Sequence, residues 1–331
     1  MGALPPRRLA VAPMLDWTDR FYRYFARLIT RHTWLTTEMV TTGALIHGDR
    51  ERFLRFDPSE QPLALQLGGS DAADLARCTR LAAEWGYDEV NLNVGCPSER
   101  VQSGAFGACL MAEPALVADC LSAMQDSVDI PVTVKHRIGI DQVEGYDYLR
   151  DFVGEVSRRS ACRIFTVHAR NAILKGLSPK ENRDIPPLKY PYVYRLKQDF
   201  PELTILINGG ITDWPAIETH LAEVDGVMIG REAYHNPWLL VEADRRLFGD
   251  HHPLPTRREI VEALLPFLQA RIDEGVPLKH MTRHVLGLYQ GVPGAKAWRR
   301  TLSDPVALRG NDPGLLLKAA DELERRLPRA A

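Results

Sequence analysis

Residues 63–95 read LALQLGGSDAADLARCTRLAAEWGYDEVNLNVG, and they contain one complete repeat of the predicted fold. An apolar run at 63–69 is followed by a helical pattern at 72–86, and a second apolar run follows at 89–95. Apolar strands that alternate with helices are typical of parallel sheets whose two faces are both buried. The stretch therefore predicts a strand–helix–strand unit with parallel strands.

The same alternation recurs through the first two thirds of the chain. Eight strands in about 240 residues predict an α/β fold of the (β/α)8 TIM-barrel type. A doubly wound open sheet would usually carry a G-x-G-x-x-G turn after its first strand, and PMLDWTD (13–19) has no such glycines. The predicted strands are 9–15, 34–39, 63–69, 89–95, 132–137, 163–170, 204–210 and 226–231.

The C-terminal part of the chain has a different pattern. After about residue 236 the apolar spacing is helical, with helix candidates at 258–275, 280–291 and 313–327. The stretch DHHPLPT (250–256) reads as a linker. We therefore predict two domains, a catalytic barrel over residues 1–242 and a small all-helical domain over residues 243–331.

Composition excludes several classes of protein. Apolar residues make up 45% of the 331 residues and charged residues 25%, which is ordinary for a globular chain. There is no apolar run of membrane-spanning length and no signal-peptide pattern at the start. Five scattered cysteines argue against a disulfide framework, which favours the cytoplasm. Nothing in the sequence indicates a metal site, a membrane or an obligate protein partner.

Polar residues stand at the ends of the predicted strands. In (β/α)8 barrels chemistry collects at the carboxyl ends of the strands. Each such residue, taken alone, is as often structural as functional, but the whole set predicts an active site. Its members are Gln66, Asn93, Cys96, Lys135, Arg137, His168, Arg170 and Asn208.

The last two strand ends have the features of a phosphate site. Gly209, Gly210 and Gly230 have no side chains to shield their backbone N–H groups, and Arg231 adds a charge with forked geometry. The loops after strands seven and eight are a common phosphate site of this fold. Ordinary turn glycines remain an alternative, and the phosphate would belong to a sugar, a nucleotide or a flavin.

Lys135 and Gln66 narrow this choice. A lysine inside a barrel needs an electron-rich partner, and a flavin ring offers one where negative charge gathers on reduction. Gln66 both donates and accepts hydrogen bonds, which suits the pyrimidine edge of that ring. A Schiff base on Lys135, as in barrel aldolases, is the alternative that the residues leave open.

The sequence resembles the tRNA-dihydrouridine synthases, flavin enzymes that reduce a uridine in tRNA, from Ala10 to the C-terminus. The segments MLDWTDR (14–20), SPKENRDIPPL (178–188) and GAKAWRR (294–300) are similar to the branch that acts on D-loop uridines 20 and 20a. The motifs that carry the family resemblance are APMLDWTDR (12–20), QLGG (66–69), NLNVGCPS (91–98), VQSGAFGACLM (101–111), KHRIG (135–139), FTVHAR (165–170), NGGI (208–211) and IGREAYHNPW (229–238).

This resemblance implies a cofactor, a reductant and a proton donor. The cofactor is FMN, the reductant is NADPH, and Cys96 matches the family's proton donor. The residues implied to hold FMN are Pro13, Met14, Gln66, Lys135 and His168 near the ring and ribityl chain, and Asn208, Gly209, Gly210, Gly230 and Arg231 at the phosphate end.

The implied reaction adds a hydride to C6 of uracil and a proton to C5. Hydride from flavin N5 goes to C6, because the conjugated C4 carbonyl makes that carbon electrophilic. A thiol of ordinary pKa, about 8.5, is mostly protonated at pH 7 and suits the proton transfer from Cys96. Asn93 is placed to bond the uracil edge, and Gly104 and Gly107 are hinge candidates for a closing loop. The target base must leave its stack.

Charge patterning predicts where the RNA binds. Residues 275–303 contain no Asp or Glu, and residues 241–331 carry 15 Lys and Arg against 12 Asp and Glu. A basic face on a helical domain suits a phosphate backbone, although a solvated helix face is the alternative. The residues that match the branch's tRNA-binding positions or lie in the basic stretch are Lys180, Arg183, Lys296, Arg299 and Arg300.

Three other functions remain open at this point. A flavin barrel enzyme resembling the dihydroorotate dehydrogenases would act on a free pyrimidine and would not need the basic tail. An RNA-binding protein would use the barrel as a scaffold only. A Schiff-base aldolase would use Lys135.

Overall fold

The computed structural model describes residues 4–98, 104–143 and 145–325. Residues 101–103 of the predicted loop motif therefore lie outside the described residues. Contacts divide the chain into two compact units. The first unit contains the residues up to Asp16 together with Trp34–Gly230, and the second contains Trp17–Thr33 together with the residues from Arg231 onward. The predicted division at residue 242 concerns function and stays a prediction.

The first unit contains an eight-stranded parallel sheet in the order β1-β8-β7-β6-β5-β4-β3-β2. Backbone hydrogen bonds close it into a barrel, since Val11 N donates to Trp34 O at 2.8 Å and Trp34 N donates to Leu9 O at 3.0 Å. This confirms the predicted TIM barrel. The strands are β1 Leu9–Val11, β2 Leu35–Thr41, β3 Leu63–Gly68, β4 Glu89–Val94, β5 Val132–Arg137, β6 Ile164–His168, β7 Thr204–Asn208 and β8 Gly226–Ile229.

Helices follow most of the strands, as the alternation in the sequence predicted. The helix after β3 begins where the Asp71 carboxylate accepts from the backbone N of Asp74 at 2.9 Å, which is an N-cap. It buries Leu75, Cys78 and Ala82 on one face. The helices of the first unit are Thr42–His47, Arg50–Leu54, Ala72–Glu84, Pro114–Gln125, Tyr146–Arg159, Tyr190–Asp199 and Trp214–Leu221.

The barrel interior has an apolar side and a polar side. The side formed by β1, β7, β8 and the residue before β2 is apolar, and Ile164 at the start of β6 packs against it. Its other members are Ala10, Ala12, Trp34, Leu206 and Met228. The side formed by β3, β4 and β5 is rich in buried polar side chains, which include Gln66, Glu89, Asn91, Asn93 and Thr133.

Several strands are shorter than predicted at their carboxyl ends. β1 ends before Pro13, which has no N–H for the sheet. β7 ends before Gly209 and Gly210, whose φ angles of 116° and 70° turn the chain out of the sheet. The predicted strands thus included the first residues of the loops that form the rim of the barrel.

The second unit is helical in its described residues, and two of its helices differ from the prediction. Only Lys279–Thr282 is helical within the predicted 280–291, and Ala295–Ser303 was not predicted. The chain forms turns over 283–291, and it approaches its neighbour closely at Gly287, where a Cβ would lie 2.5 Å from the carbonyl oxygen of His235. The helices of this unit are Arg20–Ile29, Arg231–His235, Ala243–Leu247, Arg257–Asp273, Lys279–Thr282, Ala295–Ser303 and Gly314–Glu324.

In the part of the chain that the structure describes, no helix combines the length and the apolar character that crossing a membrane requires.

Candidate active site

The carboxyl ends of the parallel strands form one rim of the barrel. Strand register aligns Asn93 with Lys135, Arg137 with His168, and His168 with Asn208. The rim therefore collects side chains that are far apart in sequence, which is how (β/α)8 barrels build their active sites.

Lys135 is the least compensated charge on this rim. Its pKa is lowered from 10.5 to about 7, chiefly by burial and then by the charge of Arg137, while the interaction with Cys96 acts in the opposite direction. Among the described residues its ammonium group has no hydrogen-bond or ion-pair partner. A partly buried cation without a partner is stabilised by an electron-rich ligand. The rim thus offers an incomplete site for such a group.

His168 lies on the neighbouring strand and is neutral at pH 7. Burial lowers its pKa well below 6.5, and the charges of Arg137 and Lys135 lower it further. A neutral imidazole has one nitrogen that donates and one that accepts a hydrogen bond. The ring packs against the turn after β7, since a Cβ at Gly209 would lie 2.7 Å from its Cδ2 atom.

The turn after β7 has the geometry of an anion cradle. A Cβ at Gly210 would lie 2.6 Å from Leu188 Cδ1, and the Tyr190 hydroxyl donates to Gly209 O at 2.7 Å. Both glycines have positive φ angles, so a side chain would be strained here as well as crowded. Within the described residues the backbone amides of Gly210 and Gly230 have no hydrogen-bond partner. Amides of this kind fit a phosphate.

Gln66 and Asn93 are bonded to each other, which the sequence did not indicate. The Asn93 Nδ2 group donates to Gln66 Oε1 at 2.9 Å, and Gln66 Nε2 donates to Asn91 Oδ1 at 2.8 Å. Both side chains are buried, with 1% and 8% exposure for Gln66 and Asn93. Gln66 Nε2 keeps a second N–H for a ligand.

Cys96 has a fixed backbone and a half-buried thiol. Its N–H donates to Asn93 Oδ1 at 3.0 Å, and its carbonyl oxygen accepts from Ala108 N at 2.9 Å. The Sγ atom has a weak contact with Ser98 Oγ at 3.6 Å. The geometry presents the thiol from a backbone that is hydrogen-bonded on both sides, which suits proton transfer to or from a ligand on the rim.

The other cysteines have different surroundings. Cys78, Cys120 and Cys162 are buried, and burial raises their pKa values to about 11, 11 and 12. Cys109 is half-buried, and its Sγ donates to Phe106 O at 3.1 Å. All five cysteines are free thiols.

Arg137 holds the loops of the rim together, a role that sequence reasoning missed. It is 3% exposed, its Nε donates to Gly95 O at 3.1 Å, and its Nη1 donates to Asn182 O at 3.0 Å. Arg170 is likewise turned to backbone, since its Nη1 donates to the carbonyls of Asp184 and Pro186. A buried arginine needs such acceptors, and this rule was the available signal.

The remaining rim residues lie in loops. Pro13 and Met14 follow β1 and are partly exposed, and Gly230 follows β8. Arg231 is the first residue of helix Arg231–His235 in the second unit.

Lys180 and Arg183 flank a short turn that is anchored on the barrel. Asn182 between them is fully buried, and its Oδ1 accepts from Ile173 N at 2.7 Å. Both cations are exposed to solvent. The charge of Arg183 lowers the pKa of His168, which shows that the turn lies near the rim.

The helix Ala295–Ser303 in the second unit has a basic face. Ala295, Trp298 and Leu302 are buried, with helical spacing. The Arg299 guanidinium donates to Gln290 Oε1 at 3.0 Å. The cations of the other face are Lys296, Arg299 and Arg300.

A pocket of about 610 Å³ also lies within the second unit. Lys279, Arg283 and Arg309 line it, together with apolar side chains such as Leu302 and Leu308. None of its lining residues is Asp or Glu. Its charge therefore complements an anionic ligand.

The fold and the rim together define an enzyme of the (β/α)8 class, because fixed polar groups converge where this fold carries out chemistry. The family can be stated as well. The sequence profile described as dihydrouridine synthase (Dus) matches residues 10–324, and the chain belongs to that family.

Relatives named tRNA-dihydrouridine(20/20a) synthase are similar over nearly the whole chain. One from Vibrio parahaemolyticus is 57% identical over 322 residues, which covers 97% of each chain. One from Pseudomonas putida is 61% identical and covers 91% of this chain and 90% of its own. One from Synechocystis sp. is 58% identical and covers 94% and 93%.

Solved structures support the fold alone. A 2-naphthoyl-CoA reductase in complex with 2-naphthoyl-CoA superposes with a TM-score of 0.54 at 10% identity. The match covers 72% of this chain and 50% of that one.

Proposed function

We propose that this enzyme reduces uridine to 5,6-dihydrouridine in the D-loop of tRNA, at positions 20 and 20a, with FMN as cofactor and NADPH as reductant. The observation that carries the proposal is that Lys135, which has no partner for its charge among the described residues, and the half-buried Cys96 thiol lie on the same rim of the barrel. The chain is also 54–61% identical to relatives named for this reaction. The cytoplasm, where tRNA is modified, fits its free cysteines.

The residues of the rim fit FMN. Lys135 lacks a partner for its charge, and a reduced flavin ring is anionic near N1. The second N–H of Gln66 suits the pyrimidine edge of the ring, and the free amides of Gly210 and Gly230 suit the phosphate. The full proposed set is Pro13, Met14, Gln66, Lys135, His168, Asn208, Gly209, Gly210, Gly230 and Arg231. When bound and reduced, FMN would supply the hydride for C6 of uracil.

Cys96 supplies the proton for C5 in this proposal. A neutral thiol is needed, and the loop amide of Cys96 is held by Asn93, so that the sulfur is presented from a fixed backbone. The position of Asn93 beside Cys96 also allows it to bond the uracil edge. Its Oδ1 already accepts two backbone amides, so its Nδ2 group is the part available to substrate.

The tRNA would bind through cations in both units. Lys180 and Arg183 are exposed on the first unit, and Lys296, Arg299 and Arg300 share one helix face of the second. The pocket of the second unit, which is lined by Lys279 and Arg309 and by no Asp or Glu, offers further positive charge within that unit. In this proposal residues 1–242 form the catalytic barrel and residues 243–331 the tRNA-binding domain.

The test uses purified protein and tRNA from a strain that lacks dihydrouridine synthases. We expect a yellow protein that releases FMN on denaturation and forms dihydrouridine at positions 20 and 20a when NADPH is supplied. Dihydrouridine is mapped by primer extension after alkaline ring opening. Modification at other positions would reject the assigned site, and a colourless protein without activity on any tRNA would reject the flavin mechanism.

A further inference from the structure

The strand β4 carries a polar residue at every second position, although it is buried along its whole length. Glu89, Asn91 and Asn93 share the interior face of the strand. Over about 13 Å of strand, they lead from the amino end of the barrel to the loop of Cys96. Such residues are expensive to bury unless each is hydrogen-bonded, so their partners need an explanation.

One continuous chain of hydrogen bonds connects these residues. The Cys96 N–H donates to Asn93 Oδ1 at 3.0 Å and Asn93 Nδ2 donates to Gln66 Oε1 at 2.9 Å. Gln66 Nε2 donates to Asn91 Oδ1 at 2.8 Å. Asn91 Nδ2 donates to Thr133 Oγ1 at 2.8 Å, and the Thr133 hydroxyl donates to Glu89 Oε1 at 2.7 Å.

The groups at the two ends of this hydrogen-bond chain require the same donor-to-acceptor direction. A backbone N–H only donates, so Asn93 must turn its oxygen toward Cys96. A carboxylate only accepts, so Thr133 must donate its single proton to Glu89 and accept from Asn91. Gln66 satisfies both requirements, since its Oε1 accepts from Asn93 and its Nε2 donates to Asn91. The side-chain amides of Gln66, Asn91 and Asn93 therefore each have one orientation, and the hydrogen-bond network determines which end carries the oxygen.

Arg7 keeps Glu89, at the end of the hydrogen-bond chain opposite Cys96, as a charged acceptor. Its Nε donates to Glu89 Oε2 at 2.8 Å, and its Nη2 lies 2.7 Å from the same oxygen. The guanidinium also lies 4.4 Å above the ring of Trp34, which fixes its position. The ion pair favours the charged carboxylate over the neutral acid, which would place a donor against Thr133.

We propose that Glu89, Thr133 and Asn91 are positioning residues for the reaction. They fix the amide orientation of Gln66 and Asn93, and through Asn93 they hold the backbone from which Cys96 presents its thiol. The proposal rests on the proposed function for its kinetic consequence, but the positioning of Cys96 is measurable without tRNA, FMN or NADPH.

The test compares Thr133→Val with Thr133→Ser. Valine has the shape of threonine but can neither donate nor accept, so the chain is cut, whereas serine keeps the hydroxyl. The first readout is the rate at which iodoacetamide alkylates Cys96, resolved from the other cysteines by peptide mass spectrometry. We expect Thr133→Val to change this rate by about tenfold, as Cys96 loses its fixed setting. Serine should stay within about twofold of the parent.

Two internal controls accompany this readout. Cys109 is half-buried and outside the chain, so its alkylation rate should be the same in all variants. Thr166 is a buried threonine on β6 that is aligned with Lys135, and within the described residues its side chain makes no hydrogen bond to the members of this hydrogen-bond chain. Thr166→Val should therefore leave the Cys96 alkylation rate unchanged.

The second readout separates positioning from binding. In single turnover at saturating tRNA, Thr133→Val should lower the rate of dihydrouridine formation about tenfold, with tRNA affinity and bound FMN unchanged. If the parent protein forms no dihydrouridine, the proposed function fails while the alkylation arm still decides the positioning role. Equal Cys96 alkylation in the valine and serine variants would overturn the proposal.

A further variant covers the case in which Thr133→Val does not fold. In Glu89→Gln, Arg7 claims the amide oxygen, so the new NH₂ group faces Thr133 and opposes the direction of the chain. We expect the Cys96 alkylation rate to shift in the same sense as in Thr133→Val, by a smaller factor. An unchanged rate in a folded Glu89→Gln protein would likewise contradict the proposal.

Discussion

The two sides of the barrel interior are built on different physics. On the apolar side, Ala10, Leu206 and Met228 pack with Trp34, and the favourable free energy comes from area removed from water. On the polar side, Asn91 and Gln66 are held by directed hydrogen bonds of 2.8 Å. Different strands of one barrel thus supply an apolar half, which is held by non-directional packing, and a polar half, which is held by directed hydrogen bonds.

This difference assigns the two halves different tasks. Apolar packing tolerates a change of shape if volume is kept, because no partner atom is specified. A hydrogen-bonded chain does not, since each donor needs its own acceptor. We therefore expect substitutions on the apolar side to change the free energy of unfolding and those on the polar side to change the reaction.

The largest effect is expected where the polar side ends, at Cys96. Cys96→Ala should lower the rate of dihydrouridine formation by about 10²–10⁴, because general acid catalysis contributes about that much. Its sulfur is half-buried and makes a single weak contact, so the melting temperature, bound FMN and tRNA affinity should be unchanged. The measurement is single-turnover kinetics with the bound tRNA fraction determined in parallel. Full activity of this variant would remove Cys96 from the mechanism.

Leu206→Ala is the matched change on the apolar side. Leu206 is 3% exposed, and truncating a buried leucine destabilises a protein by about 2–5 kcal/mol. We expect the free energy of unfolding to fall by this amount in urea titrations, while the rate per folded molecule stays within about twofold. Leu206→Met keeps the volume and should lose less than about 1.5 kcal/mol. A large loss in the rate of dihydrouridine formation per folded Leu206→Ala molecule would contradict the separate roles assigned to the two sides of the barrel.

The sequence predicted the barrel well, for a physical reason. A strand buried on both faces must be a near-continuous apolar run, and such runs are visible in a single sequence. Val132–Arg137 was predicted with the bounds that the structure shows. Because all strands are parallel, their carboxyl ends must share a rim, so residues such as Lys135 and His168 were placed together correctly.

The details of the site were less accessible. The bonds from Gly95 and Cys96 to Asn93, and from Arg137 to Gly95 O, depend on the path of a loop, which hydrophobic periodicity does not encode. The alternation of Glu89, Asn91 and Asn93 in a buried strand was a visible signal of a polar interior, and it was not used. The helix Ala295–Ser303 was not predicted.

A pH-dependent test addresses the partly buried charge of Lys135. The pKa of Lys135 is about 7 when folded and about 10.4 when unfolded, so between these values the unfolded chain binds more protons. The stability of the flavin-free protein should therefore rise with pH in this window, by about 2 kcal/mol between pH 7 and pH 9. Below pH 7 the unfavourable contribution is complete.

Lys135→Met removes this contribution and serves as the comparison. The difference in free energy of unfolding between Lys135→Met and the parent, from urea titrations, should favour the variant most at pH 7 and shrink toward pH 10. Taking the difference cancels the buried tyrosines and cysteines that titrate in the same range. Lys318→Met, at an exposed lysine 3.3 Å from Asp312, should show no comparable trend. Parallel curves for parent and Lys135→Met would refute the lowered pKa.

The smallest effect is expected in the second unit, on the basic face of the helix Ala295–Ser303. Arg299→Ala removes one charge and a single hydrogen bond to Gln290, so neither catalysis nor stability should change much. If Arg299 contacts a tRNA phosphate, affinity should fall a few-fold, and the slope of log K against log salt should become shallower by about one. Filter binding between 50 and 200 mM salt measures both quantities, with Lys318→Ala as the matched control. A variant that weakens binding at every salt concentration by the same factor would show that Arg299 acts through its shape or its bond to Gln290 and not through its charge, since only loss of a phosphate contact changes the number of released ions.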